Sequence, residues 1–272
     1  MTKVRATRRR PTGACIFCGS SDLSREHVWA DWLKKYIKKD ALNHSRMDAT
    51  LHPTISEYER EKVSGDLRSH RLKVVCRSCN SGWMSRLQNQ AKPYLVPLLK
   101  GETVSIDAAA QEIISAWITM FVMVAEYFNP YKVSTSQEQR RRFSDDPKCP
   151  VNWKIWIGDY DRENWPGLLV HFALPISSAE HVPETMDNGL PRPNTQTMTF
   201  IVGRLYVHVC ASVTDLFGNW TVADSRLLAL ICPAQQSVLP WPMKTLSDRD
   251  ADSIAAAFHL ESERIDRLSV SG

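Results

Sequence analysis

Four cysteines and three polar residues beside them carry most of the chemistry that can be read from this chain. Cys15-Ile-Phe-Cys18 and Cys76-Arg-Ser-Cys79 are two C-x-x-C pairs, and four thiolates are the tetrahedral donor set that Zn²⁺ takes in closed structural sites. Such a site has no open coordination position, so its metal holds a fold and does not act on a substrate. Glu26-His27 follows the first pair, and Asn80 directly follows the second. If the cysteines converge on one ion, these three residues converge with them. An imidazole titrates near neutral pH and can take a proton from water, while carboxylate and amide oxygens suit Mg²⁺ or Mn²⁺. An activated water and a hard cation are what phosphodiester hydrolysis requires. Plainer roles stand beside these: a Glu at a helix start is often only a capping partner, and an Asn after a knuckle only a turn residue.

The elements that must position these residues follow from the local pattern. Gly19 closes the first knuckle, where a tight turn needs an unusual backbone angle. Apolar residues at Trp29, Trp32, Leu33, Tyr36 and Ile37 keep helical spacing, which predicts an amphipathic helix with Glu26 and His27 at its start. Residues 39–66 are polar and weakly periodic, and Pro53 argues against one long helix. They read as a variable loop with a short strand near Thr54 to Tyr58. Leu72 to Cys76 has strand character, and Met84 to Ala91 reads as a helix running up to Pro93. Lys92 to Glu102, with two prolines and a glycine, reads as a junction between a module at 1–100 and another at 101–272. Trp29 and Trp83 are expected to pack the small core around the knuckles in preference to stacking on a base.

In the second module, Ser105 or Asp107 is positioned to cap a helix through about Tyr127. Its stretch Ile113 to Ala125 is flanked by Glu112 and Glu126 and falls short of a bilayer span, so a buried core helix is expected and no membrane partner. A short charged helix follows at Gln137 to Phe143, with Arg140-Arg141-Arg142 as a solvated face. Strand-type runs then appear at Trp153–Ile157, Leu168–Leu174, Thr197–Ala211 with a turn at Gly203-Arg204, and Arg226–Ile231, before an amphipathic helix at Ser247–Leu260. The fold class is therefore α+β, with an antiparallel sheet packed on one long buried helix.

Composition narrows the partners. An apolar fraction of 43% and a charged fraction of 24% belong to an ordinary globular chain. Residues 1–100 hold 20 Lys and Arg against 9 Asp and Glu, whereas residues 101–272 hold 14 against 21. The basic half is the one with the paired cysteines, and a positive module of this kind suits a polyanion, whose neutralised phosphates release counterions. The basic N-terminus is followed by no apolar signal core, and seven cysteines of which four form two pairs suit a metal site in a reducing compartment. A cytoplasmic location is expected, with Cys149, Cys210 and Cys232 as unbonded half-buried residues. No Gly-rich nucleotide loop and no Gly-x-Ser-x-Gly elbow is present.

The combination C-x-x-C, Glu-His, C-x-x-C-Asn resembles the HNH (ββα-metal) endonuclease family. The segments Arg25-Glu-His-Val-Trp-Ala-Asp-Trp-Leu33 and Val75-Cys-Arg-Ser-Cys-Asn-Ser-Gly-Trp-Met-Ser-Arg-Leu87, with Lys92-Pro93, are similar to a group of poorly characterised bacterial HNH-like proteins. The resemblance implies a zinc-stapled ββα-metal module at 1–100, followed by the α+β domain. It also implies DNA as the partner, His27 as general base, and Glu26 and Asn80 as ligands of a catalytic Mg²⁺ or Mn²⁺ beside the structural zinc. A bacterial defence setting, such as defence against phage, is consistent with it. Three departures matter. The Pro and Gly-Gly usual after the His are replaced by a tryptophan-bearing segment. The middle Asn that orients the base is missing, with His70 near its place as a substitute. Residues 39–66 form an insertion. These departures support an alternative, a zinc-stapled nucleic-acid-binding protein without catalysis. A third reading is an interaction protein whose metal module only stabilises a partner-binding fold. The C-terminal module offers no chemistry of its own and is a candidate surface for homo-oligomer formation.

Overall fold

The computed structural model describes residues 13–37, 43–49, 59–64, 70–161, 169–177, 181–187, 189–217 and 226–257, with the backbone alone for 43–49, 59–64 and Glu26. The basic arm and the strand expected near Thr54 to Tyr58 lie outside the described residues. In chain order the strands are β1 (Leu23–His27), β2 (Asn43–Ala49), β3 (Glu59–Ser64), β4 (Arg71–Cys76), β5 (Val104–Asp107), β6 (Trp153–Asp159), β7 (Leu169–Leu174), β8 (Thr195–Val202), β9 (Leu205–Ser212), β10 (Ala229–Cys232) and β11 (Val238–Trp241). The helices are α1 (Arg77–Cys79), α2 (Ser85–Lys100), α3 (Ala108–Ala125) and α4 (Gln137–Asp145), with a 3₁₀ segment at Asp31–Tyr36 and a π turn at Asn80–Met84. Residues 248–257 form a last helical run.

The expected α+β class is what the chain forms. A seven-stranded sheet, ordered β10-β6-β9-β8-β7-β2-β3, is antiparallel except where β2 runs parallel to β7. The long buried helix is α3, whose first turn is capped by Asp107 Oδ1 accepting from the Ala110 N–H at 2.8 Å. The segment Ala108–Phe128 is long and apolar enough to cross a membrane, yet 78% of its most apolar window is buried inside the protein. Along β9 the side chains alternate between two cores. Leu205, Val207 and Val209 face the core that holds α3, while Tyr206 and Cys210 face a second one completed by Leu246, Ala251 and Ile254. The sheet is thus covered on both sides, which explains why β8 and β9 are buried along their whole length.

Several local expectations are corrected. Glu26 and His27 do not begin a helix. They end β1, which pairs antiparallel with β4 so that His27 lies opposite Arg71. The helical spacing that follows produces only the 3₁₀ segment, with Leu33 buried at 1% exposure. Part of the polar 39–66 stretch forms the strands β2 and β3, and β2 adds to the large sheet beside β7. The helix that was expected to stop at Pro93 continues through Pro93 and Pro97 to Lys100. Each proline removes one helical hydrogen bond, but Leu87, Ala91, Leu95, Leu98 and Leu99 are buried along the same helix, and that apolar face keeps it helical. One continuous core holds Phe17, Trp29 and Leu33 together with Trp117, Phe121 and Phe200, so it crosses the boundary drawn at residue 100. Trp29 packs against Phe121 at a tilt and edge-on against Phe200, and Trp83 packs edge-on against Phe17 and Phe143, the packing roles expected of them.

Two further corrections concern single side chains. Arg140 does not belong to a solvated face: it is buried, pairs with the buried Glu126 carboxylate, and lies over the Tyr127 ring. Glu126 also accepts from the Ser134 and Thr135 N–H groups at 2.8 and 3.1 Å. Cys149 and Cys232 are bonded to each other as a disulfide, with Cα atoms 6.7 Å apart. The pairing of β10 with β6 places Cys232 opposite Ile155. A separation of 83 residues gave no sequence signal for that bond.

The β8–β9 turn ties the large sheet to the 3₁₀ segment and to the end of α2. The Gly203 N–H donates to the Tyr36 carbonyl at 3.1 Å and the Arg204 N–H to the Leu99 carbonyl at 3.0 Å. Gly203 has φ 56°, and a Cβ there would lie 2.3 Å from the Leu99 oxygen. Gly203→Ala is therefore expected to cost about 2 kcal/mol, because a left-handed backbone and a clash with backbone coincide. In thermal unfolding this is a drop of roughly 4–8 °C.

His208 supplies a pH-dependent term. Its Nδ1 is 2.7 Å from Thr199 Oγ1 and its Nε2 is 3.4 Å from Cys210 Sγ, in full burial. Burial drives its pKa down from 6.5 to about 3. The unfolded chain therefore takes up a proton near pH 6.5 that the folded chain refuses until about pH 3, so stability falls as pH falls through this window. The loss is expected to reach about 2 kcal/mol by pH 5. His208→Gln should flatten the slope of denaturant-derived stability between pH 6.5 and 5, whatever its cost at neutral pH.

Candidate functional site

The four-cysteine centre is built from two turns held on β4. In the first, the Gly19 N–H donates to the Cys15 carbonyl at 2.9 Å, and Gly19 takes φ 78°. The Ile16 N–H then donates to the Val74 carbonyl at 2.9 Å, which fixes this knuckle against the second strand. In the second, the Cys79 N–H points at Cys76 Sγ at 3.4 Å as β4 turns into α1. The Sγ atoms of Cys15, Cys18, Cys76 and Cys79 all lie within 4.8 Å of one another, with Cys18 and Cys76 at 3.4 Å. Zinc–sulfur bonds of about 2.3 Å set tetrahedral sulfurs roughly 3.8 Å apart. The quartet therefore fits a metal such as zinc. Burial raises the thiol pKa of Cys18 and Cys79. Burial also acts on Cys76, but the Ser78 hydroxyl, the Cys79 N–H and the neighbouring thiols outweigh it and bring that group down to about 6. Gln137 at the start of α4 donates through Nε2 to the Ile16 carbonyl at 2.9 Å, so the C-terminal part of the chain also holds the first knuckle.

His27 stands at the end of β1, about six-sevenths buried, with 15% of its side chain exposed. Its Nδ1 is 3.1 Å from Asp31 Oδ1, Arg71 Nε donates to its Nε2 at 2.9 Å, and Lys34 Nζ is 3.3 Å from the same nitrogen. Guanidinium and ammonium groups only donate, so Nε2 is an acceptor and Nδ1 carries the hydrogen that Asp31 receives. The tautomer is thereby set by its neighbours. Lys34 Nζ also reaches Asp31 Oδ1 at 2.5 Å, and this contact holds the Asp31 carboxyl below its usual pKa.

His27 and Asn80 line the same narrow cleft, together with Gln88. Its floor is apolar: Trp117, Met120, Phe121 and Val124 of α3 and Val74 and Val75 of β4. The cleft has interior room of about 40 Å³, enough for a few waters and too little for a nucleotide. Its polar donors toward a hard cation are the amide oxygens of Asn80 and Gln88. Glu26 is the neighbour of His27 on β1, and its side chain lies outside the described residues.

Of the residues singled out in the sequence, the fold gathers the four cysteines and brings His27 to Asn80. His70 is placed otherwise. Its ring packs on Phe128 at 5.6 Å, its carbonyl accepts from the Val28 N–H at 3.1 Å, and the partners seen on the His27 nitrogens are Asp31, Arg71 and Lys34. Asp31, Lys34, Arg71 and Gln88 were not anticipated. Asp31 lies four positions after His27, a spacing that the strand-end turn closes into contact. The cations Arg25, Lys35, Arg71, Lys73, Arg77 and Arg86 are exposed on the elements around the cleft. Compared with family models, with curated proteins and with solved structures, the chain has no match.

Proposed function

We propose that this chain is a metal-dependent endonuclease of the HNH type that cleaves phosphodiester bonds in DNA. The observation that carries the reading is the setting of His27. Asp31 holds Nδ1–H, the acceptor Nε2 faces Arg71 and Lys34, and the ring shares a cleft with Asn80 at a frame of four converging cysteines. Support also comes from the order β1, β4, α2, which is strand, strand, helix, with the second knuckle between the last two.

In this reading His27 is the general base and Asp31 its positioning residue. Nε2 takes a proton from water as the water oxygen bonds to phosphorus; the bond from phosphorus to the leaving oxygen breaks, and that oxygen ends protonated from solvent. Asn80 and Glu26 would hold a Mg²⁺ or Mn²⁺, which would neutralise charge on the phosphate and leaving oxygen. Cys15, Cys18, Cys76 and Cys79 would hold a structural zinc that fastens the first knuckle to the end of β4 and takes no part in the chemistry. In this reading the DNA lies on the surface above the cleft, which is itself too small for a nucleotide, and the exposed cations of β1, β4 and α2 support that placement.

A second reading, a zinc-stapled DNA-binding protein without catalysis, is favoured by one observation: Arg71 already occupies the acceptor nitrogen of His27. The two are separated by measuring duplex binding in EDTA over a range of salt and cleavage in Mn²⁺ on the same preparation. The nuclease reading expects both, with affinity falling steeply as salt rises. Salt-dependent binding with no cleavage of any DNA form under any added metal leaves the second reading.

A further inference from the structure

The nuclease reading leaves Arg71 and Lys34 unexplained, since both sit on the nitrogen that must take the proton. Arg71 is exposed, comes from the strand paired with β1, and meets His27 through the register His27↔Arg71. Lys34 is 36% exposed and comes from the 3₁₀ segment, where Asp31 also lies. Two cations from two different elements thus converge on one neutral acceptor, Arg71 at 2.9 Å and Lys34, which is also paired with the Asp31 carboxylate, at 3.3 Å. An imidazole nitrogen is a poor counterpart for two positive charges. A phosphate oxygen is a better one, because charge-assisted hydrogen bonds from guanidinium and ammonium to an anion are roughly twice as strong as neutral ones.

We infer that Lys34 and Arg71 form a phosphate-binding pair that rests on His27 Nε2 and is drawn off it by a phosphodiester, uncovering the base only when substrate is present. This rests on the nuclease reading for its purpose but not for its test. Asp31 keeps the ring in place during the exchange, because its contact is to the other nitrogen, Nδ1. The exchange moves no proton. Nε2 loses the Arg71 hydrogen bond, Arg71 and Lys34 gain phosphate oxygens, and a water takes the vacated position on Nε2. The Arg71 contact that favours a silent protein then becomes the resting state of an active one.

The experiment uses full-length, zinc-loaded protein with ¹⁵N-labelled histidine in EDTA, where no cleavage can occur. The Nε2 resonance of His27, assigned by its loss in His27→Gln, is followed during titration with inorganic phosphate and, separately, with a short DNA duplex, against chloride at equal ionic strength. The expected result is a saturable change in the Nε2 shift with either probe, with phosphate affinity lowered about tenfold or more in Arg71→Gln. Lys34→Gln is expected to weaken the same response, and substitution at the exposed Arg71 and the half-buried Lys34 should leave the fold intact. No shift in the wild type, or an equal shift in Arg71→Gln and Lys34→Gln, overturns the inference. A shift with phosphate and none with DNA keeps the phosphate-binding pair and removes the nuclease reading, so the two claims fail separately.

Discussion

Cys76→Ser is expected to lose the metal and, with it, cooperative folding of the whole described structure. The sulfur is wholly buried, at the point where β4 ends and α1 begins, between Val75 and the second knuckle. The two knuckles are what fix Ile16 and Phe17 inside the core, and that core continues without interruption through Trp29 and α3 to Phe200 on the large sheet. A structural zinc contributes about 10–16 kcal/mol in small metal-folded domains, which matches or exceeds the total stability of about 5–15 kcal/mol typical of a folded domain. Metal analysis should give one zinc per chain in the wild type and almost none in Cys76→Ser. Thermal unfolding should lose its sharp transition or shift by well over 15 °C, since roughly 2–4 °C accompany each kcal/mol in a domain of this size. A variant that drops the metal yet melts within a few degrees of wild type shows the quartet to be dispensable to the fold.

His27→Ala is expected to reduce DNA cleavage by about 10²- to 10⁴-fold, the range a positioned general base supplies, while changing stability little. The side chain is mostly buried but lies at the protein surface, and its removal leaves the Asp31–Lys34 contact in place. Zinc content should therefore match the wild type, with the melting temperature lowered by only a few degrees, about 1 kcal/mol for the lost hydrogen bonds. Asp31→Asn should fall between the two, because it replaces an acceptor of Nδ1–H with a group that also donates and so permits the wrong tautomer. Rates measured on supercoiled plasmid with saturating Mn²⁺ decide both. Equal rates in the wild type and His27→Ala would remove His27 from the mechanism.

What the sequence disclosed and what it concealed follow from the range of the interactions involved. The four cysteines were legible because a C-x-x-C pair is a local turn whose purpose is written in its spacing, and α3 because Asp107 caps an unbroken apolar run. His27 was legible as a candidate through its neighbours, but its surroundings were not. Arg71 is 44 positions away and arrives only through the register of β1 with β4. Asp31 and Lys34 looked like the polar face of a helix that is in fact one short 3₁₀ segment. The same competition explains the start of that segment. Strand pairing with β4 took Glu26 and His27 from the helix that local periodicity predicted. It also explains α2, where a buried face outweighed two prolines. The hairpin of β2 and β3 gave little periodicity, and β2 finds its partner β7 more than a hundred positions later. Arg140 read as one of three like cations; only the tertiary fold shows that it answers the buried Glu126. The cleft floor from α3 was hidden for the same reason, and it makes the C-terminal part of the chain a structural component of the candidate site.

The most direct measurement of the central claim is conversion of supercoiled plasmid to nicked and linear forms by the zinc-loaded wild-type protein in parallel EDTA, Mg²⁺ and Mn²⁺ lanes. Zinc content is measured on the same sample, and His27→Ala is run beside it. The account predicts cleavage that requires added Mg²⁺ or Mn²⁺, disappears in EDTA without loss of the zinc, and fails in His27→Ala. Zinc-replete wild-type protein that binds the plasmid and leaves it supercoiled in every lane, or cuts it equally well without His27, contradicts it.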